Sequence, residues 1–485
     1  ITKQTNETSL QFSFGTKEVD GYTLVTKDTT YQGETGYGFS TNTYEEEAVG
    51  WSNGVYYPRV VTTKESDASY VTDGEEYLAI GSQVWTETES TGYGVYTYEN
   101  TSTFDVDVES KDYTVTVELV NPTEEAITVN LEAEDITKVS GIEIKPGEKV
   151  SQSYTACVVD GQLNAKFLVN SNATTESAAT RKQAYVSRMT VEGQTRQAGE
   201  KPTIFIASDS TVQTYDSSYY PQTGWGQVLY QFFDGADAVK EYECEDCNYS
   251  QAQTYETSSV IVENRAIGGR SSKSFIEEGK LDDLLEDVKP GDYVLVQWGH
   301  NDATAARPNR YVSTEEFGKW IQYYIDGVSQ RGGTCILVTP VARRSYTEEN
   351  GVASFKSDFE AYRQVMLSIS EEQGVPLLDL TKASIEVCNK FGAEGSKALF
   401  LWLNAGDYTG YYAGGASDST HLQYYGAYKF AQCVARLMEE STNSQLDTLK
   451  AYVSMPNDYD AVPAAPGALE TGTIGASSIS FSWDK

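Results

Sequence analysis

Apolar residues recur at every second position through much of the first 200 residues. Tyr113, Val115, Val117 and Leu119 share one face, Asn121-Pro122-Thr123-Glu124-Glu125 turns the chain, and Ile127, Val129, Leu131 and Ala133 repeat the pattern. Alternation of period two on both sides of a turn predicts two antiparallel strands. Similar short strands with glycine-rich turns run from Gln11 to Val95, and no helical stretch interrupts them. A β-sandwich, jelly-roll-like, over residues 1–198 accounts for this pattern most economically.

After about Gly199 the pattern changes. Apolar runs at Thr203–Ala207, Val260–Glu263, Tyr293–Gln297, Cys335–Thr339 and Val375–Asp379 alternate with helical segments at Phe275–Leu285, Thr314–Gln330, Phe355–Gln373 and Leu422–Glu440. Strands that are apolar on both faces and joined by helices predict a parallel sheet in an α/β/α layer fold over residues 199–455, with a site at the carboxyl ends of the strands. Past Met455, Val462-Pro463-Ala464-Ala465-Pro466-Gly467 has a stiff linker composition, and apolar alternation resumes over Ile474–Trp483. That stretch resembles the opening strand of a fibronectin type III domain, so residues 456–485 are expected to be a linker and a truncated domain start, with further C-terminal domains in the parent protein.

Charge narrows the function classes. Lys and Arg number 36 against 71 Asp and Glu, a net charge of −35 that is spread over both halves of the chain. Such a field repels nucleic acid and anionic membrane surfaces. No apolar run approaches the roughly 18 residues needed to cross a bilayer, so no membrane insertion is expected. Ile1-Thr2-Lys3-Gln4 lacks the apolar core of a secretory signal, so any export signal has been removed or lies outside this sequence. The six cysteines are too sparse for a disulfide framework. Cys244-Glu245-Asp246-Cys247 has the spacing of half a zinc site, but no second Cys pair or nearby His completes it, which leaves surface thiols or a local disulfide.

Only His300 and His421 are available for general-base work near neutral pH. His421 follows Asp418 by three residues, close enough for the carboxylate to hold the imidazole Nδ1–H, and precedes an amphipathic helix. His300 directly follows the apolar strand at Tyr293–Gln297. The first α/β strand ends in Ala207-Ser208-Asp209-Ser210-Thr211, where Ser210 either presents its Oγ to the crevice or merely serves a turn. The second ends in Asn264-Arg265-Ala266-Ile267-Gly268-Gly269-Arg270-Ser271-Ser272, whose glycines suit close backbone approach to a ligand or a plain tight turn. Asp209 and Asp302 are expected to satisfy local backbone amides.

The order of these blocks resembles the SGNH (GDSL-type) hydrolases. Gly224-Trp225-Gly226-Gln227, Gly268 to Phe275, Pro290-Gly291-Asp292-Tyr293, Thr339 to Arg344 and Asp418-Ser419-Thr420-His421-Leu422 are similar to the rhamnogalacturonan acetylesterase-like branch of carbohydrate esterases, over about residues 203–440. Phe12-Ser13-Phe14-Gly15, Gly21-Tyr22-Thr23 and Gly36-Tyr37-Gly38-Phe39 are similar to a galactose-binding-like β-sandwich found ahead of some of these enzymes. One departure is Ser208, where the family's first motif usually begins with Gly. The resemblance implies Ser210 as nucleophile, His421 as its base and Asp418 as the group orienting the imidazole. It implies an oxyanion hole of the Ser210 and Gly269 N–H groups with the Asn301 amide, and neither metal nor cofactor. Trp225 would stack on a sugar or pack beneath the sheet. Arg270, Arg343 and Arg344 would give the cleft positive potential toward substrate or pair with surface carboxylates.

The function expected is a secreted or cell-surface esterase that deacetylates acetylated polysaccharide or oligosaccharide, with pectic rhamnogalacturonan favoured over acetylxylan. A lipid or arylester hydrolase of the same superfamily is the alternative within enzymes, although no amphipathic membrane-binding segment is visible. A carbohydrate-binding adhesin that has lost activity is the alternative outside them.

Overall fold

A computed structural model describes residues 9–41, 43–52, 55–65, 71–88, 95–169, 172–243, 252–307, 309–455, 470–474 and 479–482. Cys244, Cys247 and the proline-rich linker lie outside the described residues.

The N-terminal part is rich in sheet. Twelve strands, from Ser9–Phe14 to Lys182–Gly193, join into one sheet among the described residues. The alternation places side chains as the sequence predicts: Val115, Val117 and Leu119 share one buried core with Val129, Leu131 and Ala133. Their pairing differs from expectation. Asp112–Val120 bonds to Lys149–Cys157 and Lys182–Gly193, whereas Ile127–Ala133 bonds to Ile136–Ile144 and Gln162–Val169. The turn explains the separation. The buried Asn121 amide donates to the Glu125 carbonyl (2.7 Å) and the Ile144 carbonyl (2.8 Å), carrying the chain across the core rather than back along the same ladder.

The second part is an α/β fold whose sheet is mixed, not wholly parallel. Its strand order is Lys240–Glu243, Gln253–Glu256, Ile261–Asn264, Thr203–Ala207, Tyr293–Val296, Thr334–Val338 and Leu377–Leu378. The last five run parallel, and the first two form an antiparallel edge. Lys240–Glu243 is polar and exposed along its length, as an edge strand must be to discourage further pairing. The central strands are apolar on both faces because both faces are covered. Ile204, Ile206, Leu295, Ile336 and Val338 pack on one side with Phe430, Val434 and Met438 of the helix Tyr424–Glu440. Phe205, Ala207, Val294, Val296 and Leu337 pack on the other with Phe317, Ile321, Tyr324 and Val328 of Thr314–Gln330. Burying each such side chain contributes about 1.5–3 kcal/mol, so this double layer fixes where the strand ends lie.

Three helix expectations change. The segment expected at Phe275–Leu285 is two helices, Ser272–Glu277 and Lys280–Asp287, separated at Gly279 (φ 70°). Phe355 belongs to a hairpin of Tyr346–Glu349 with Val352–Phe355, so the next helix is Glu360–Gln373. A further helix, Leu380–Gly395, is capped by Asp379, whose carboxylate accepts from the Lys382 N–H. Near the C-terminus the apolar alternation belongs to two antiparallel strands, Glu470–Ile474 and Ile479–Ser482.

The two parts are joined by buried charge. Asp112 of the N-terminal part accepts from Arg331 Nε (2.9 Å) and forms an ion pair with Arg196. Lys138 pairs with Asp282 and Glu286 of the α/β part. Cys157 and Val159 complete the apolar core around Leu281, Leu285 and Tyr324.

Candidate active site

The ends of the first three parallel strands are bound to one another before any side chain takes part. The Arg265 and Ile267 amides donate to the carbonyls of Ile206 (3.0 Å) and Ser208 (2.9 Å), and the Gln297 amide donates to Ala207 (3.2 Å). Ser208 is fully buried. Its hydroxyl donates to the Gln297 carbonyl (2.7 Å) and accepts from Gln297 Nε2 (3.2 Å). Its φ is not positive, so a serine fits where the family usually has glycine, and its side chain clamps the turn to the neighbouring strand.

Ser210 follows in that turn, half-buried, with its carbonyl accepting the Tyr215 hydroxyl (2.6 Å). His421 and Asp418 arrive on Ala416–Leu422, a strand paired with Phe400–Leu403 outside the main sheet. Ser210 Oγ lies 2.9 Å from His421 Nε2, and His421 Nδ1 lies 2.7 Å from Asp418 Oδ2. The other Asp418 oxygen accepts from the Thr420 (2.7 Å) and His421 (3.1 Å) amides. Burial alone would raise the Asp418 carboxyl, but the hydrogen bond and charge of His421, with those two amides, outweigh it and hold it at about 2. It is therefore ionised at any working pH. A carboxylate fixes the Nδ1–H tautomer, leaving Nε2 free to accept the serine proton.

Gly269 has φ 82°, a conformation that β-carbon-bearing residues rarely adopt. Among the described residues neither its N–H nor that of Ser210 donates to a protein acceptor. The Asn301 amide donates one hydrogen to the Arg270 carbonyl (2.7 Å) and retains a second. Asn301 is positioned by Gly299 (φ 135°), where an added Cβ would meet Pro340 at 2.7 Å, and by Asp302. Asp302 accepts from the Ser272 (3.0 Å) and Gly299 (2.9 Å) amides, and its burial lifts the carboxyl to about 6 against the pull of these donors. His300 plays no part in this chain. Its Nε2 bonds the Val341 carbonyl (2.9 Å), and burial lowers it to about 4, so it is neutral.

For Trp225 and Arg344 the structure decides between the alternatives given above, and Arg270 and Arg343 lie against other groups. Trp225 is 0% exposed and donates to Gln297 Oε1 (3.0 Å), so it packs beneath the sheet and cannot stack on a sugar. Arg344 is 9% exposed, donates to Ser396 Oγ (3.1 Å) and lies over Trp402. Arg270 is paired with Glu278 (2.9 Å), and Arg343 lies over Phe359, 4.8 Å from its ring centre. None of the four lines the cleft of about 750 Å³ that opens beside His421 and Asp418. Its walls are instead tyrosines from two loops, Tyr215 and Tyr219 facing Tyr411 and Tyr412. Sequence reasoning passed over these; the paired runs Tyr219-Tyr220 and Tyr411-Tyr412 were the available signal.

For a cation, the ligand atoms of Cys157, Asp282 and Glu286 form one close group among the described residues. The Lys138 ammonium already lies against both carboxylates and offsets part of their charge.

Residues 209–422 match the GDSL-like Lipase/Acylhydrolase family. Over 240 residues the chain is 37% identical to a probable rhamnogalacturonan acetylesterase, YesY, of Bacillus subtilis (strain 168), spanning 49% of this chain and 92% of that protein. It is 32% identical over 237 residues to the rhamnogalacturonan acetylesterase RhgT of the same organism, spanning 49% and 89%. A third B. subtilis relative, the uncharacterized esterase YxiM, is 26% identical over 397 residues, 81% of this chain and 84% of that one. The family match runs from the residue before Ser210 to the residue after His421, and the chain covers nearly the whole of two relatives more than 30% identical to it, and so it belongs to the GDSL-like lipase/acylhydrolase family.

Proposed function

We propose that this ester hydrolase removes O-acetyl groups from plant cell-wall polysaccharide outside the cell, rhamnogalacturonan ahead of acetylxylan, through an acetyl-serine on Ser210. The observation that carries the proposal is the hydrogen-bonded run from Asp418 through His421 to Ser210 Oγ. The polysaccharide rests on the names of two relatives rather than on the arginines, which are engaged elsewhere.

In this mechanism Ser210 Oγ attacks the acetyl carbonyl while its proton passes to His421 Nε2. The carbonyl oxygen takes up the negative charge and accepts from the N–H groups of Ser210 and Gly269 and the spare hydrogen of Asn301. Collapse breaks the bond to the sugar oxygen, which receives the proton from His421. Water, deprotonated by His421, then attacks acetyl-Ser210, and collapse breaks the acetyl–Oγ bond, releasing acetate as His421 returns the proton to Ser210 Oγ. Asp418 stays ionised throughout and stabilises the imidazolium.

Residues 199–455 hold every group used in these steps. We read residues 1–198 as a β-sandwich that stabilises and places the α/β part, and the paired strands after residue 469 as separate from both. The test is acetate release from acetylated rhamnogalacturonan and acetylxylan by the full chain, with Ser210→Ala beside it. Release from the first at the higher kcat/KM, lost in Ser210→Ala, is expected. Hydrolysis of a small aryl acetate with no release from either polymer would overturn the substrate assignment, and Ser210→Ala turnover within tenfold of wild type would overturn the mechanism.

A further inference from the structure

The cleft beside His421 has a chemistry that the ester-cleaving steps do not use. Tyr219, on the short turn Ser217–Tyr219, and Tyr411, on Gly410–Tyr412, approach with ring centres 5.0 Å apart and a 41° tilt. They are 38% and 69% exposed; Tyr220, Tyr242, Tyr311 and Tyr424 are also exposed among the described residues, but Tyr219 and Tyr411 alone of these line the cleft. Behind them Tyr215 and Tyr412 are held by hydrogen bonds, the first to the Ser210 carbonyl and the second to Gln222 Oε1. The inner wall is thus rigid and tied to the serine itself, while the outer pair presents open ring faces to solvent. Exposing two aromatic faces sacrifices burial, and such patches on a soluble surface mark contact sites. A pyranose ring has an apolar face of C–H groups that matches an aromatic face and hydroxyls that suit the phenol rims.

The charge of the cleft narrows the ligand further. Asp216 and Glu243 contribute carboxylates to its walls, Asp418 lies at its floor, and among the described residues lining it there is no Lys or Arg. The Ser218 amide bonds Asp216 and keeps its carboxyl below the ordinary range, so it is charged in use. A uronate placed there would meet like charges, each disfavouring it by roughly two- to fivefold at short range and low salt.

We propose that this cleft is a subsite for an uncharged pyranose unit adjoining the acetylated residue, stacked on Tyr219 and Tyr411. The assignment rests on the polysaccharide esterase function above. It selects polymers in which the acetylated sugar has a neutral neighbour over those made of uronate alone.

The experiment compares kcat and KM of the full chain on acetylated rhamnogalacturonan, on acetylated homogalacturonan and on a small aryl acetate. Wild type is set beside Tyr219→Ala/Tyr411→Ala, the corresponding double Phe variant, and Asp216→Asn/Glu243→Gln. The double Ala variant should raise KM on rhamnogalacturonan about ten- to a hundredfold, leave the aryl acetate within twofold, and be restored by Phe, which keeps the ring face. The Asn/Gln variant should gain severalfold on homogalacturonan at low salt only, since Asn still caps the Ser217–Tyr219 turn. Equal losses on polymer and aryl acetate, or wild-type rates on homogalacturonan that match those on rhamnogalacturonan at low salt, would overturn the subsite while leaving the esterase assignment intact. No release from any polymer, with aryl acetate still cleaved, would instead remove the assignment on which it rests.

Discussion

Asp418→Asn separates orientation from folding. In the wild type one Asp418 oxygen is taken by the backbone amides of Thr420 and His421 and the other by His421 Nδ1. An asparagine has a single acceptor oxygen. If it keeps the two amides, its NH₂ faces Nδ1, the imidazole carries its proton on Nε2 instead, and Ser210 Oγ at 2.9 Å meets a donor where it needs an acceptor. Loss of about 10⁴ in kcat is expected, or about 5.5 kcal/mol of barrier. Stability should change far less. Holding the carboxyl at about 2 rather than 3.8 corresponds to about 2 kcal/mol at most, and with the side chain 36% exposed, screening reduces this to about 1 kcal/mol. That contribution is complete above the ordinary carboxylate pKa and is lost as pH falls through about 2, so it is fully present in a neutral assay. The assay is aryl acetate hydrolysis at pH 7 alongside urea unfolding. A loss of activity below tenfold, or one no larger than the change in stability explains, would refute the orienting role.

Asn301→Ala should lower kcat by about 10²–10³ with KM little changed, the signature of one lost oxyanion donor; steady-state kinetics on a polymer substrate checks it. Asp112→Ala should destabilise the full chain by about 3–5 kcal/mol in urea unfolding, because it strands the buried Arg331 guanidinium at the junction of the two parts. His300 is a base lowered by burial, so its contribution to stability is complete above pH 6.5 and lost as pH falls through about 4. Unfolding between those pH values should show a loss of up to about 3 kcal/mol in wild type that His300→Gln removes.

What the sequence disclosed follows from what each residue pattern physically encodes. Thr203–Ala207 was readable to the residue because both faces of a central parallel strand must be apolar. Thr314–Gln330 was readable because its apolar stripe is a local pattern. The helix at Leu380–Gly395 was missed because its capping Asp379 looked like the end of the preceding strand. Period two told which side chains face the N-terminal core but not which strand lies alongside, and so Asp112–Val120 was matched with the wrong neighbour. The histidine and aspartate could be singled out because only two histidines exist and one sits three residues from a carboxylate, whereas Ser210 stood out only through the resemblance of the ordered blocks to the SGNH hydrolases. For the arginines and Trp225 the sequence left two readings open, because a long side chain at a strand end can turn into the cleft or away from it. Partners brought near only by the fold, Glu278, Phe359, Ser396 and Gln297, decide that direction. The cleft tyrosines were hidden by abundance, being a few among 35.

The central claim is that the acetyl group passes through Ser210. Its most direct test is rapid acid quench of the full chain during turnover of an activated aryl acetate, followed by peptide mass mapping. The mechanism predicts one acetyl group on the peptide that carries Ser210, located on that residue. An acetyl group on any other side chain, or an unmodified Ser210 during a stoichiometric burst of aryl alcohol, would contradict it.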